Sequence, residues 1–101
     1  MNLREIPFFK NLDESELKRL AEISSLKRYK ADEIVFFEGE MSKFLLVLIE
    51  GVVRLYKNSS KGKEIVLNTI SPISFIAEVA NLEQIPYPAS CVFSAGGGGR
   101  N

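Results

Sequence analysis

The chain has 101 residues, 46% hydrophobic and 26% charged, with thirteen basic side chains balancing thirteen acidic ones. That is one domain with a real core and no more, and a net charge of zero gives the chain as a whole no electrostatic reason to seek nucleic acid. With no histidine and a single cysteine, Cys91, His-based catalytic triads, His-ligated zinc or haem, an internal disulfide and a single-chain iron–sulfur cluster all fall away. No metal or other cofactor is expected, and no enzyme activity. The first residues lack the basic-then-apolar form of a signal peptide, and the longest apolar run, residues 44–49, is strand-sized rather than membrane-spanning. A soluble, cytoplasmic domain with no membrane contact is expected.

An apolar cluster, Ile6, Phe8 and Phe9, precedes a strong helix signal. Asp13 is a good N-cap, and Glu16 three residues on completes a capping box. Leu12 and Leu17 have the spacing of a hydrophobic staple. Leu17, Leu20, Ala21 and Ser24 then share one face, so a helix is predicted over residues 14–24.

From Leu26 the apolar period changes to two, which predicts an exposed strand over residues 26–31. Its basic trio, Lys27, Arg28 and Lys30, is too small for phosphate binding and reads as a solvated strand. Residues 34–37 form a second apolar strand, followed by Glu38-Gly39-Glu40, where Gly39 suits a turn needing positive φ. Residues 44–49 are continuously apolar, which predicts a strand buried on both faces. Strands over residues 52–57 and 64–70 flank the polar turn Asn58-Ser59-Ser60-Lys61-Gly62-Lys63. Short strands at this spacing predict an antiparallel sandwich or barrel. Phe36, Phe37, Phe44 and Phe75 are expected in its core rather than around an aromatic ligand pocket.

The stretch FIAEVANLEQIPYPASCV, residues 75–92, reads as a short helix over residues 77–82, a Pro-punctuated loop to Pro88, and a strand from Ala89. A short helix led by a Glu, with a small-residue strand about ten residues on, resembles the phosphate-binding cassette of cyclic-nucleotide-binding domains. The Pro88-Ala89-Ser90 step is more similar to the cassette of the Crp/Fnr class of bacterial transcription regulators. The "LDESEL" helix, "EGE", "IEGVVRLY" and the "KGKE" hairpin precede it in the order of the sensor roll of that class, and the resemblance covers residues 5–93.

This resemblance implies a mainly β fold: a double-stranded β-helix (jelly-roll) barrel with an N-terminal capping helix and a short cassette helix. It implies an effector-sensing domain over residues 1–95 whose ligand repositions a dimerisation helix and a DNA-binding domain, neither of which is in this chain. A homodimer is implied for the full-length protein, with a small-molecule effector as the partner of this domain. The candidate effector pocket is Ala77, Glu78, Tyr87, Pro88, Ala89 and Ser90.

The chain departs from the nucleotide-binding pattern in its chemistry. Ala77 stands where those members carry Gly, and Pro86-Tyr87-Pro88-Ala89 where they carry the Arg that pairs with the cyclic phosphate. No Lys or Arg occurs anywhere in residues 64–99, and Pro72-Ile73-Ser74 replaces the usual "PGD" turn. A buried phosphate without a cation pays desolvation for little return. An effector other than a cyclic nucleotide is therefore expected. The alternatives are a ligand-free interaction module, in which Glu78 serves only the helix terminus, and a cupin-like enzyme, which would have to bind metal through carboxylates alone. Cys91 is expected to be a buried structural thiol rather than a redox or nitric-oxide sensor. The run Gly96-Gly97-Gly98-Gly99 cannot continue a strand cheaply, and residues 96–101 are expected to lie outside the core.

Overall fold

The computed structural model describes residues 6–94. A 3-10 turn at Pro7–Phe9 leads into helix α1, Glu14–Ile23, and the strands follow as β1 (Ile34–Phe36), β2 (Leu46–Leu48), β3 (Val53–Asn58), β4 (Glu64–Ile70), β5 (Ser74–Ile76) and β6 (Ser90–Phe93). A second helix, α2 (Glu78–Glu83), lies between β5 and β6.

The capping box that starts α1 is complete. The Glu16 amide donates to Asp13 Oδ1 at 2.9 Å, and the Asp13 amide donates to Glu16 Oε1 at 3.0 Å. The helix buries little: Leu17 is buried and Leu20 half-buried, but Ala21 and Ser24, expected on the same inward face, are exposed. The segment expected to be a strand, residues 26–31, is not one. It has no ladder partner among the described residues and ends in a turn in which the Lys30 amide donates to Glu33 Oε1 at 2.6 Å. Tyr29 packs on the ring of Phe93 at 5.1 Å, and the Asp32 amide donates to the Phe93 carbonyl at 2.8 Å. Alternation supplied the pattern of a strand, but a strand also requires a neighbour for its amides.

Two antiparallel sheets face one another across one core. The larger has the order β1-β6-β3-β4 and the smaller pairs β2 with β5. Phe36, Val53 and Cys91 come from the first sheet, Leu48 and Ile76 from the second, and Ala80 of α2 and Tyr87 complete the buried cluster. The fold is a mainly β jelly roll with two helices, as the sequence reading implied. Gly39 at φ 92° and Gly62 at φ 81° make the two turns that polar clusters had marked.

Two expectations about apolar residues are corrected. The run at residues 44–49 yields only the three-residue β2, and among the described residues that strand has β5 as its single partner. Burial on both faces needs neighbours on both sides, so Phe44 is left 72% exposed and Leu45 44% exposed. Phe37, in the turn beyond β1, is 54% exposed, so neither Phe37 nor Phe44 is a core residue. Phe36 is buried as expected and Phe75 half-buried. Cys91 is fully buried, and burial alone pushes its thiol up to about 12. A thiol held protonated is a poor nucleophile, which fits a structural role. The glycine-rich tail lies outside the described residues.

Candidate functional site

The cassette is held by its own backbone and by a strap from the turn after β1, residues 37–40. Ala77, just ahead of α2, is in the left-handed conformation at φ 53° and ψ 41°. An L-residue pays roughly 1–2 kcal/mol for that geometry, and Gly does not. Ala77→Gly is thus expected to raise the unfolding free energy by about 0.5–1 kcal/mol, after the larger chain entropy of Gly when unfolded is subtracted. Ala80→Gly, inside the same helix, is expected to lower it by about 1 kcal/mol or more. Urea denaturation of both variants checks the opposite signs.

At its far end α2 closes with Gln84 left-handed at φ 54°. The Gln84 amide donates to the Asn81 carbonyl at 3.3 Å and the Ile85 amide to the Ala80 carbonyl at 3.1 Å, a Schellman closure. Asn81 Nδ2 donates to Ser42 Oγ at 2.8 Å, and the Ser42 hydroxyl donates to the Phe44 carbonyl at 3.0 Å, tying α2 to the loop before β2.

Beyond the helix, the Gly39 amide donates to the Tyr87 carbonyl and the Tyr87 amide to the Glu40 carbonyl, both at 2.9 Å. The Glu38 amide donates to Ser90 Oγ at 2.8 Å, and the rings of Tyr87 and Phe36 stack with centroids 3.6 Å apart. Tyr87, Ala89 and Ser90 are all buried, and Pro88 between them is exposed.

A cleft of about 610 Å³ lies where the end of β4 meets β5 and the start of α2. Its apolar lining is Leu55, Ile70, Phe75 and Ala77, and its polar lining is Asn68, Thr69, Ser71, Ser74 and Glu78. Of the six residues proposed from sequence, Ala77 and Glu78 line this cleft, and Tyr87, Pro88, Ala89 and Ser90 do not. Sequence reasoning missed the β4 contribution. The one available signal was the polar Asn68-Thr69 pair near the end of an otherwise apolar strand.

The cleft has a one-sided charge. Among the described residues Glu78 is its sole ionisable lining residue. It opens α2 without capping it, since Ala77 holds the N-cap position. Arg54 precedes Leu55 on β3, and strand alternation turns it to the face opposite that lining residue. Its guanidinium is engaged by Glu64, with Nε 2.5 Å from Oε2, and Nη1 donates to Ser94 Oγ at 3.4 Å. The Glu64 partner raises the Arg54 pKa, and Arg54 in turn lowers that of Glu64. Among the described residues no group of three or more Asp, Glu or Cys side chains could hold a metal ion, and no helix is long and apolar enough to cross a membrane.

The model of the cyclic nucleotide-binding domain matches residues 26–95, and the chain belongs to that family. Among solved structures it is similar to the sensor domain of the transcriptional regulator DNR from Pseudomonas aeruginosa, with 25% identity and a TM-score of 0.76 over 90% of this chain and 61% of that one. It is also similar to the N-terminal domain of a transcriptional regulator from Streptomyces coelicolor A3(2), with 28% identity and a TM-score of 0.73 over 92% of this chain and 66% of that one. The Thermus thermophilus catabolite activator protein shares the fold at 24% identity and a TM-score of 0.68, with 86% of this chain covering 41% of that protein. The chain therefore spans about two fifths of the length of such a regulator. No curated protein sequence matches it.

Proposed function

We propose that this domain, over residues 1–95, is the effector-sensing part of a Crp/Fnr-like transcription regulator and that its effector is not a cyclic nucleotide. The observation that carries this reading is the cleft: it has the volume of a small-molecule site, within the range of about 300–1,000 Å³, yet among the described residues its only charged lining residue is Glu78. Ala77 and Glu78 are assigned to effector contact. Tyr87 and Ser90 hold the cassette against the turn at residues 38–40, Ala89 is buried between them, and Pro88 occupies the loop where nucleotide binders are expected to place their Arg.

In this reading an occupant of the cleft favours one placement of α2 over another. That shift in population passes to a dimerisation helix and a DNA reader contributed by other parts of a longer, homodimeric, cytoplasmic regulator. DNA contact belongs to that reader and no catalytic step to this domain. A ligand-free interaction module is the alternative; the ligand-sized volume of the cleft, which is open to solvent, favours the sensor reading. Thermal unfolding with cyclic AMP or cyclic GMP tests the reading. A site with a Kd near 10 μM, at about 1 mM ligand, would gain about 2.7 kcal/mol, or ten degrees or more in Tm for a domain of this size. The expected change is below about one degree for both nucleotides, and a rise of about five degrees with either would overturn the proposal.

A further inference from the structure

We infer that the cleft takes a compact organic cation, an amine or guanidinium carried on an apolar or aromatic body, with Glu78 as its counter-ion. This rests on the reading of the cleft as the effector site. Glu78 is half-buried, and its carboxylate makes no hydrogen bond or ion pair with any described residue. The pairings that employ the other acids of this region do not reach it: Glu64 is held by Arg54, and Glu38 by Lys57 at 3.4 Å. It therefore presents an unspent acceptor to whatever enters.

The rest of the lining fits the same class of ligand. Leu55, Ile70 and Phe75 offer apolar surface for a hydrocarbon or aromatic body. The Ser74 hydroxyl spends its proton on the Ser71 carbonyl at 2.8 Å, which leaves its lone pairs to accept from a ligand N–H. Asn68 Oδ1 already accepts from the Thr69 amide at 2.8 Å, so the carboxylate is the dominant acceptor of the site. An anion would approach Glu78 without a counter-charge. A neutral ligand would displace water from the carboxylate without replacing its hydrogen bonds in full. A cation supplies charge-assisted bonds, about twice as strong as neutral ones.

The test is an NMR titration of the chain at neutral pH with 2-phenylethylamine and, separately, phenylacetate, two probes with the same ring and opposite charge. The expected result is saturable movement of backbone amide signals at residues 68–71 and 74–78 by the amine and none by the acid. Glu78→Gln is expected to weaken amine binding tenfold or more while leaving the remaining spectrum, and hence the fold, unchanged. The inference is overturned if phenylacetate titrates the same amides as well as the amine, if Glu78→Gln binds the amine undiminished, or if the amine moves no cleft amide. Cyclic AMP is titrated in a separate arm. Movement of the cleft amides there would overturn the exclusion of cyclic nucleotides, whereas failure of the amine with cyclic AMP also silent overturns the cation alone.

Discussion

Phe36→Ala is expected to lower the unfolding free energy by about 3–5 kcal/mol, the range for emptying a buried aromatic site. The ring is 5% exposed and lies in the cluster shared by both sheets, so its removal leaves a cavity that two sheets and α2 would have to close. It also removes the stack with Tyr87, at a centroid distance of 3.6 Å and an interplanar angle of 10°, and such pairs contribute about 0.5–1.5 kcal/mol beyond burial. Since a domain of this size has a total stability of about 5–15 kcal/mol, this one change approaches the whole margin. Phe44→Ala is the matched control. That ring is 72% exposed, so its loss is expected to cost within about 0.5 kcal/mol. Urea midpoints of the two variants against the parent chain check the ranking. Equal losses at the two positions would contradict the core described above.

The contrast between these two phenylalanines also shows what the sequence could and could not carry. Both stand in apolar runs and were expected inside. Phe36 lies in β1, which pairs with β6 and faces the core. Phe44 precedes β2, which among the described residues pairs with β5 alone, leaving one edge and much of the run uncovered. Local signals were reliable where the physics is local. The Asp13–Glu16 capping box, the glycine turns and the cassette helix each depend on a few consecutive residues, and each was legible. The strand expected at residues 26–31 failed because a ladder depends on a neighbour that no short window contains.

The site divides in the same way. Ala77 and Glu78 were legible because a helix start and a Glu at its head are local features. The walls at Asn68, Thr69 and Ser71 were not, for their facing is set by register. The pairing passes from Tyr56↔Val66 to Leu55↔Asn68, leaving Leu67 as an extra residue in β4. Such a bulge re-aims every side chain after it. No feature of the sequence between Glu64 and Ser71 marks where that extra residue falls.

Cyclic AMP and cyclic GMP are expected to miss this site by a wide energetic margin. Among the described residues the lining of the cleft includes a carboxylate and no Lys or Arg, and Arg54 is committed to Glu64 and Ser94. Truncating one partner of a buried, hydrogen-bonded charge pair costs on the order of 2–5 kcal/mol. At about 1.4 kcal/mol per tenfold, that moves a micromolar affinity to the millimolar range or beyond. Two further features act in the same direction. Ala77 carries a Cβ where nucleotide binders are expected to bring bare backbone against the phosphate, and Pro88 brings no N–H donor to the loop. Ala77 holds a left-handed geometry that glycine adopts more readily than alanine. The fold of a cyclic nucleotide-binding domain is therefore present, while no Lys or Arg lines the cleft among the described residues.

Isothermal titration calorimetry of the chain with cyclic AMP, at moderate salt and neutral pH, measures this most directly. The expected result is no saturable heat up to a nucleotide concentration of about 1 mM, corresponding to binding weaker than about −4 kcal/mol. Saturable binding with a Kd below about 10 μM, about −7 kcal/mol, would require another cation or pose to take the place of the missing Arg, and would contradict the assignment of this cleft.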